Sequence, residues 1–310
     1  MRYSLVAVSG LLAAVSGHGL VTSIQGANGV EMPGLSVADG TPRDCSSNAC
    51  GSQADTSIIR DREISSGKAT PLGRTQGNGP VDAAVMIQNF MGGQSAPTNN
   101  GSADSVGQED NIPTNIPKRN KSFIRGLGDL LSGLTGGTSG GGSGNTSKGT
   151  KTETAQETSV AASAGKGATS GLPTCADDGS ITMTFRQINQ DGAGPMEAAV
   201  DGTSGGTQES AFQNAEVTQD VPGSGLLGGL SLATNTDFPV TVQMPAGMTC
   251  DGSVGGADNV CIVRVRNNAI AGPFGGSAAF TQSPAARKRA LDYRMKMKKR
   301  QAEQNRRLRK

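Results

Sequence analysis

Residues 181–187 read ITMTFRQ, and their alternation decides the fold class. Ile181, Met183 and Phe185 occupy every second position against Thr182, Thr184 and Arg186, which is the period of a strand with one buried and one wet face. Val240, Val242 and Met244 repeat the pattern, and so do Cys261, Val263 and Val265 against Arg264 and Arg266. Each run is bounded by turn residues: NQDGAGP after the first, PAGMTCDG after the second, AGPFGG after the third. Short alternating strands separated in this way predict a mostly β chain, an immunoglobulin-like β-sandwich with long loops. Upstream, Leu20, Thr22 and Ile24 alternate with Val21, Ser23 and Gln25 as a short first strand would. Two helices are expected after it, over Ala54–Ile64 and Val81–Phe90, the second with Pro80 near its start and Gly92 just beyond its end.

Composition divides the rest of the chain. Residues 1–17 (MRYSLVAVSGLLAAVSG) have a short positive start, an apolar stretch and small residues before His18, the pattern of a secretory signal. The segment is too short for a membrane anchor, and no other run approaches the roughly 18 apolar residues of a spanning helix. Residues 92–171 are dominated by Ser, Thr, Gly, Asn and Lys, a composition that cannot offset chain entropy by burial, so a disordered insert is expected there. It contains one apolar island, Phe123–Leu134, and three N-x-S sequons at Asn100, Asn120 and Asn145, the candidate glycan sites. One β-rich domain is left, formed by residues 18–91 and 172–283, and it is followed by a basic tail, 284–310. With no Trp, two Tyr and seven Phe, its core must be aliphatic, and broad sugar-stacking platforms are not expected.

The net charge of +2 conceals an asymmetry. Residues 284–310 hold 12 Lys or Arg against Asp292 and Glu303, whereas the preceding 283 residues hold 16 basic and 24 acidic side chains. Such a tail is suited to anionic surfaces, and nucleic acid is not an expected partner for an exported chain. Its apolar residues, Leu291, Tyr293, Met295, Met297 and Leu308, form no clean stripe when taken together. In an oxidising compartment the five cysteines predict local pairs, Cys45 with Cys50 and Cys250 with Cys261, with Cys175 free or displacing one partner. Zinc is not expected without CxxC pairs or more than one histidine.

HGLVTSIQGANGVEMPGLSVADGTPRDC (18–45), CGSQADTSIIRDREI (50–64), PLGRTQGNGPVDAA (71–84), FRQINQDGAGPMEAAVD (185–201), VQMPAGMTC (242–250) and CIVRVRNNAIAGPFGGSAAFTQ (261–282) together resemble the fungal Gas/Mas/Egh family of secreted, appressorium-associated virulence factors. The resemblance covers residues 18–91 and 172–283. It implies an extracellular protein with a role in infection, and it brings no catalytic residues. The expected function is therefore a non-catalytic binding or effector-like protein acting at the host or fungal cell surface, with wall or polysaccharide partners.

The alternative starts from His18, the single histidine. A β-sandwich whose mature terminus is histidine is similar to lytic polysaccharide monooxygenases, in which terminal amine and imidazole chelate copper. Those enzymes use a second histidine, absent here, so a copper set would need Asp39, Asp44, Asp55 or Met32 beside His18. Other enzyme chemistries find less support. No GxSxG elbow is present, Asp61 with Glu63 and Asp177 with Asp178 read as solvated pairs, and Gly77–Gly79 lacks the strand and helix that a phosphate cradle requires.

Overall fold

A computed structural model describes residues 18–46, 50–93, 145–146, 148–152, 154–190, 192–223, 231, 233–269 and 272–308. The signal region, the sequons Asn100 and Asn120 and the island 123–134 lie outside the described residues.

The chain is mostly β. In chain order the strands are β1 (Gly19–Gln25), β2 (Glu31–Pro33), β3 (Ser57–Ile58), β4 (Arg74–Thr75), β5 (Gly79–Pro80), β6 (Asn145–Thr146), β7 (Thr150–Lys151), β8 (Ser180–Gln187), β9 (Glu197–Asp201), β10 (Phe212–Asp220), β11 (Thr236–Gln243), β12 (Gly252–Val254), β13 (Ala257–Arg266) and β14 (Phe274–Thr281). The helices are α1 (Asp61–Ser65), α2 (Ala83–Met91), α3 (Ser159–Ser163), α4 (Gly167–Ser170) and α5 (Pro284–Leu308). The strands join in one sheet ordered β2-β1-β8-β11-β10-β9-β13-β14-β3-β4-β5, antiparallel along that path.

The sheet curls into two layers because β10 serves both. Its first half, Phe212–Ala215, pairs with β9, and its second half, from Glu216, pairs with β11 across a register shift between Val217 and Gln219. An extra residue at such a point bends a strand and lets it cross between layers. The curl brings β1 against β14, and just after β2 Leu35 N donates to Ser277 O of β14 at 2.9 Å. This approach needs Gly276 of β14, and the close β13–β14 pairing needs Gly275. A Cβ at Gly276 would stand 2.6 Å from Val21 N, and one at Gly275 would stand 1.9 Å from Val265 O. Met183, Phe185, Val240, Val242, Val263 and Phe280 fill the space between the layers and are fully buried, each contributing about 1.5–3 kcal/mol of transfer free energy.

α2 forms as its sequence predicts, with the Asp82 side chain accepting from Ala84 N and Gly92 closing the helix at φ 89°. Pro80 is not in its first turn but in β5. The helix expected over Ala54–Ile64 is reduced to α1. Ser57 and Ile58 pair with β14, and Asp55 is drawn into a buried ion pair, so tertiary contacts override local helix preference.

The segment 92–171 also needs correction at its C-terminal end. Val160 of α3 is fully buried in the core, Asn89 Nδ2 of α2 donates to Val160 O at 3.1 Å, and Pro42 bridges to Gln156. Residues 154–171 thus belong to the domain. Their small Ala, Ser and Gly side chains carry little apolar area of their own but allow two short helices to lie close on α2, as Gly167 does against Phe90 and Met91. Asn145 falls in β6, whose backbone pairs in parallel with β10.

Candidate functional site

Seven charged side chains are buried among the described residues: Arg43, Asp55, Arg60, Glu63, Arg186, Asp201 and Arg264. Placing a charge in a low-dielectric interior costs several kcal/mol unless it is paired, so their partners show what they do. Arg43 donates to both oxygens of Asp55, at 2.9 and 2.5 Å, and from Nε to Glu157 Oε2 at 2.9 Å. Burial opposes the Arg43 charge, but Asp55 and Glu157 outweigh it and hold the guanidinium above its ordinary pKa. For Glu157, burial pushes the carboxyl up, and Arg43 with the Ser159 hydrogen bonds brings it net below the usual range. The other Glu157 oxygen accepts from Thr158 N and Ser159 N at the start of α3. Asp39 accepts from Val160 N and Ala161 N at 3.0 and 2.7 Å. The DGTPRDC motif is therefore a clamp that fastens residues 154–161 to the sheet.

A second cluster lies where β3, β4 and β13 meet. Glu63 accepts from Arg60 Nη1 at 3.2 Å and from Arg74 Nε at 2.7 Å, while Arg60 Nε donates to Gly272 O at 2.8 Å. Burial raises the Glu63 carboxyl, and the two arginines more than reverse it. Arg264 reaches Pro71 O at 2.6 Å, forks onto both oxygens of Glu209 at 2.7 and 2.9 Å, and covers the Phe212 ring at 4.5 Å. Arg266 binds Asp61 and Glu197. Asp61 and Glu63 thus do not form the solvated pair that the sequence suggests, since Glu63 is buried. Asp201 accepts from Thr203, Ser204 and Gly206 and organises the DGTSGG turn. Arg186 pairs with Asp237 across β8 and β11, so six of the seven buried charges are held in ion pairs, and Asp201 is held by the backbone and hydroxyl groups of its own turn.

His18 is also fully buried. Its backbone N donates to Asn189 Oδ1 at 2.5 Å, its carbonyl accepts from Ile188 N at 2.9 Å, and its ring lies 4.4 Å from that of Phe274. The carboxylates expected to complete a copper set are engaged elsewhere: Asp39 on α3 and Asp55 on Arg43, while Asp44 is exposed. Met32 is packed in the core. Among the described residues no three His, Cys, Asp or Glu side chains come together to hold a metal ion. The donor set does not fit a copper brace. The cysteines pair as expected, Cys45–Cys50 and Cys250–Cys261, and Cys175 is free and buried.

Two small cavities open on the surface. One, of about 270 Å³, lies between α5 and the β11–β12 loop and is lined by Met244, Met248, Gln243, Arg289 and Tyr293. The other, of about 380 Å³, is bordered by Asn28, Met91, Leu172, Thr174 and Asp258. The first holds one acid, Asp178, and the second one acid, Asp258, with the hydroxyls of Ser170, Thr174 and Thr281 on the same rim.

The most strongly charged surface element is α5. Ser283 caps it, its Oγ accepting from Ala286 N at 3.1 Å. Ala286 and Ala290 are buried against the sheet, and Arg287 reaches Cys250 O and Asp251, Arg289 reaches Asp177 O, and Arg294 reaches Gly247 O at 2.6 Å. Every residue from Leu291 to Leu308 is exposed. Beyond Arg294 the helix continues for 14 residues, about 21 Å at 1.5 Å per residue. Reading all five of its apolar residues together hides a pattern that the buried alanines reveal. Ala286, Ala290, Tyr293, Met297, Gln304 and Leu308 recur at spacings of three, four and seven, and so share one face.

Against known proteins, residues 16–275 match the family model described as Egh16-like virulence factor. The chain is 53% identical over 297 residues to the Appressoria-specific virulence factor GAS2 of Pyricularia oryzae, covering 95% of this chain and 94% of that protein. It is 40% identical over 126 residues to the Appressoria-specific virulence factor GAS1 of the same fungus, covering 39% of this chain and 48% of that one. No solved structure matches it.

Proposed function

The chain belongs to the Egh16-like virulence factor family, and from that premise we propose that it is an exported, appressorium-associated infection factor that works by binding at the fungal or host surface rather than by turnover. One observation carries the reading: the buried charged residues of the family blocks, Arg43, Asp55, Arg60, Glu63, Asp201 and Arg264 among them, are committed to pairs and turns. Acid–base or nucleophilic catalysis needs such groups facing a site where a reacting atom can sit. A binding protein needs them only to hold its surface in shape. Export is supported by two disulfides, by the signal-like residues 1–17 and by the absence, among the described residues, of a helix long and apolar enough to cross a membrane.

The test is to express the full chain with a C-terminal fluorescent tag in an appressorium-forming fungus and to image it during penetration of host epidermis. The tag should concentrate at the appressorium–host boundary and stay there after washing. Uniform cytoplasmic signal, or free release into the medium with nothing retained, would contradict the proposal.

A further inference from the structure

We propose that the free part of α5 is an anionic-bilayer contact, a basic helix that lies in the lipid headgroup region and holds the β-domain to a membrane surface. The inference deepens the surface-binding reading and rests on it. The helix carries ten Lys or Arg and two acidic residues over Pro284–Leu308, on a chain whose first 283 residues are net acidic. A second copy of α5 is a poor occupant, since ten cations would face ten. An anionic surface is the complementary one.

The arrangement of the side chains selects a bilayer over a soluble polyanion. The charge-poor face that buries Ala286 and Ala290 continues through Tyr293, Met297 and Leu308, which are 44%, 43% and 79% exposed. At about 100° per residue, Arg294 and Lys298 border this face on one side and Lys296, Arg300 and Arg307 on the other. Long cationic side chains flanking an apolar strip can direct their ammonium and guanidinium groups to phosphates while their stems and the strip enter the acyl boundary. A hydrated polyanion offers nothing to Met297 or Leu308. The free turns are also poised to respond. Arg294/Lys298 and Lys296/Arg300 are like-charged i,i+4 pairs that weaken an isolated helix, and Met295–Leu308 has no packing against the body to offset this. Lipid phosphates would remove the repulsion, so binding should increase helicity.

The experiment uses the full secreted protein with three probes: vesicles of phosphatidylcholine alone, vesicles of phosphatidylcholine with phosphatidylserine, and soluble polygalacturonate. Three variants accompany it. One ends after Arg294. One carries Lys296→Gln, Lys298→Gln, Lys299→Gln and Arg300→Gln. One carries Met297→Gln and Leu308→Gln. These positions are exposed and lie beyond the helix–body contacts, so folding is not at stake, and an unchanged melting temperature verifies it. The full chain should bind phosphatidylserine vesicles at least about 100-fold more tightly than the truncated or charge-neutralised chain, with weakening at high salt and a gain of helical circular dichroism. The Met297/Leu308 variant should lose vesicle affinity by about tenfold or more while its polygalacturonate binding stays unchanged. Equal vesicle binding by the truncated chain would overturn the proposal, as would binding to polygalacturonate alone or an unaltered Met297/Leu308 variant. If vesicle binding fails while the tagged protein is still retained at the appressorium, only the helix–bilayer contact falls. If retention fails too, so does the broader reading.

Discussion

Asp55→Ala is expected to destabilise the protein by about 3–5 kcal/mol, because it leaves the Arg43 guanidinium buried without its bidentate partner. Arg43 is 1% exposed and Asp55 fully buried, so water cannot take over the lost hydrogen bonds. Glu157 remains as a single partner at 2.9 Å and offsets only part of the loss. At the usual 2–4 °C per kcal/mol for a domain of this size, the melting temperature should fall by on the order of 10 °C. Damage should spread to residues 154–161, whose amide protons should exchange faster, since Arg43 N and Glu157 N each hydrogen-bond across that clamp. Replacing the pair together, Arg43→Met with Asp55→Leu, should recover only part of the stability, since Glu157 then loses its cation and Ala38 N its acceptor. A loss below about 1 kcal/mol for Asp55→Ala would mean that the pair is not sealed from solvent.

The second large effect belongs to Cys250–Cys261. Its sequence separation of 11 and the full burial of both residues predict that Cys250→Ala with Cys261→Ala costs about 3 kcal/mol, mostly through the freed chain entropy of the unfolded state. The bond also fixes the loop on which α5 rests. Cys250 N donates to Gln282 Oε1, Cys250 O accepts from Arg287, and Gly247 O, three residues earlier, accepts from Arg294. Loss of the bond should therefore loosen the helix before the sheet melts, with faster amide exchange over residues 286–294. Removing Cys45–Cys50, a shorter and only partly buried loop, should cost less. The reverse order of the two losses would contradict this account of how the tail helix is seated.

The sheet was legible where a two-residue period meets a half-buried face. Ile181, Met183 and Phe185, Val240 and Val242, and Val263 and Val265 are buried as their alternation implies, whereas Arg186 and Arg264, read as the wet face, are buried in ion pairs. Its curl was not, because neither the register shift in β10 nor the glycine pair Gly275-Gly276 has meaning until the strand each must pass is known. Composition misled over residues 154–171. A Ser/Ala/Gly segment buries little area alone, and its order comes from Arg43, Asp39 and Asn89 elsewhere in the chain. The charge clusters escaped for the same reason, since burial of Asp55 or Glu63 is a tertiary fact and leaves no local period. The face of α5 was recoverable from spacing alone. The signal was Ala286 and Ala290 in register with Tyr293 and Met297, masked by counting Leu291 and Met295 with them. His18 gives no local signal of its surroundings: its burial and its ring contact with Phe274 are tertiary facts as well.

The proposed binding at a surface without turnover is tested most directly by the ratio of soluble product to bound protein on the natural material. Purified mature protein would be incubated with isolated appressorial walls and host epidermal walls, with and without a reductant, and released sugars and peptides would be quantified by mass spectrometry. The account predicts saturable retention and no release above that of a heat-denatured control. Products accumulating with time beyond one per bound chain would contradict it.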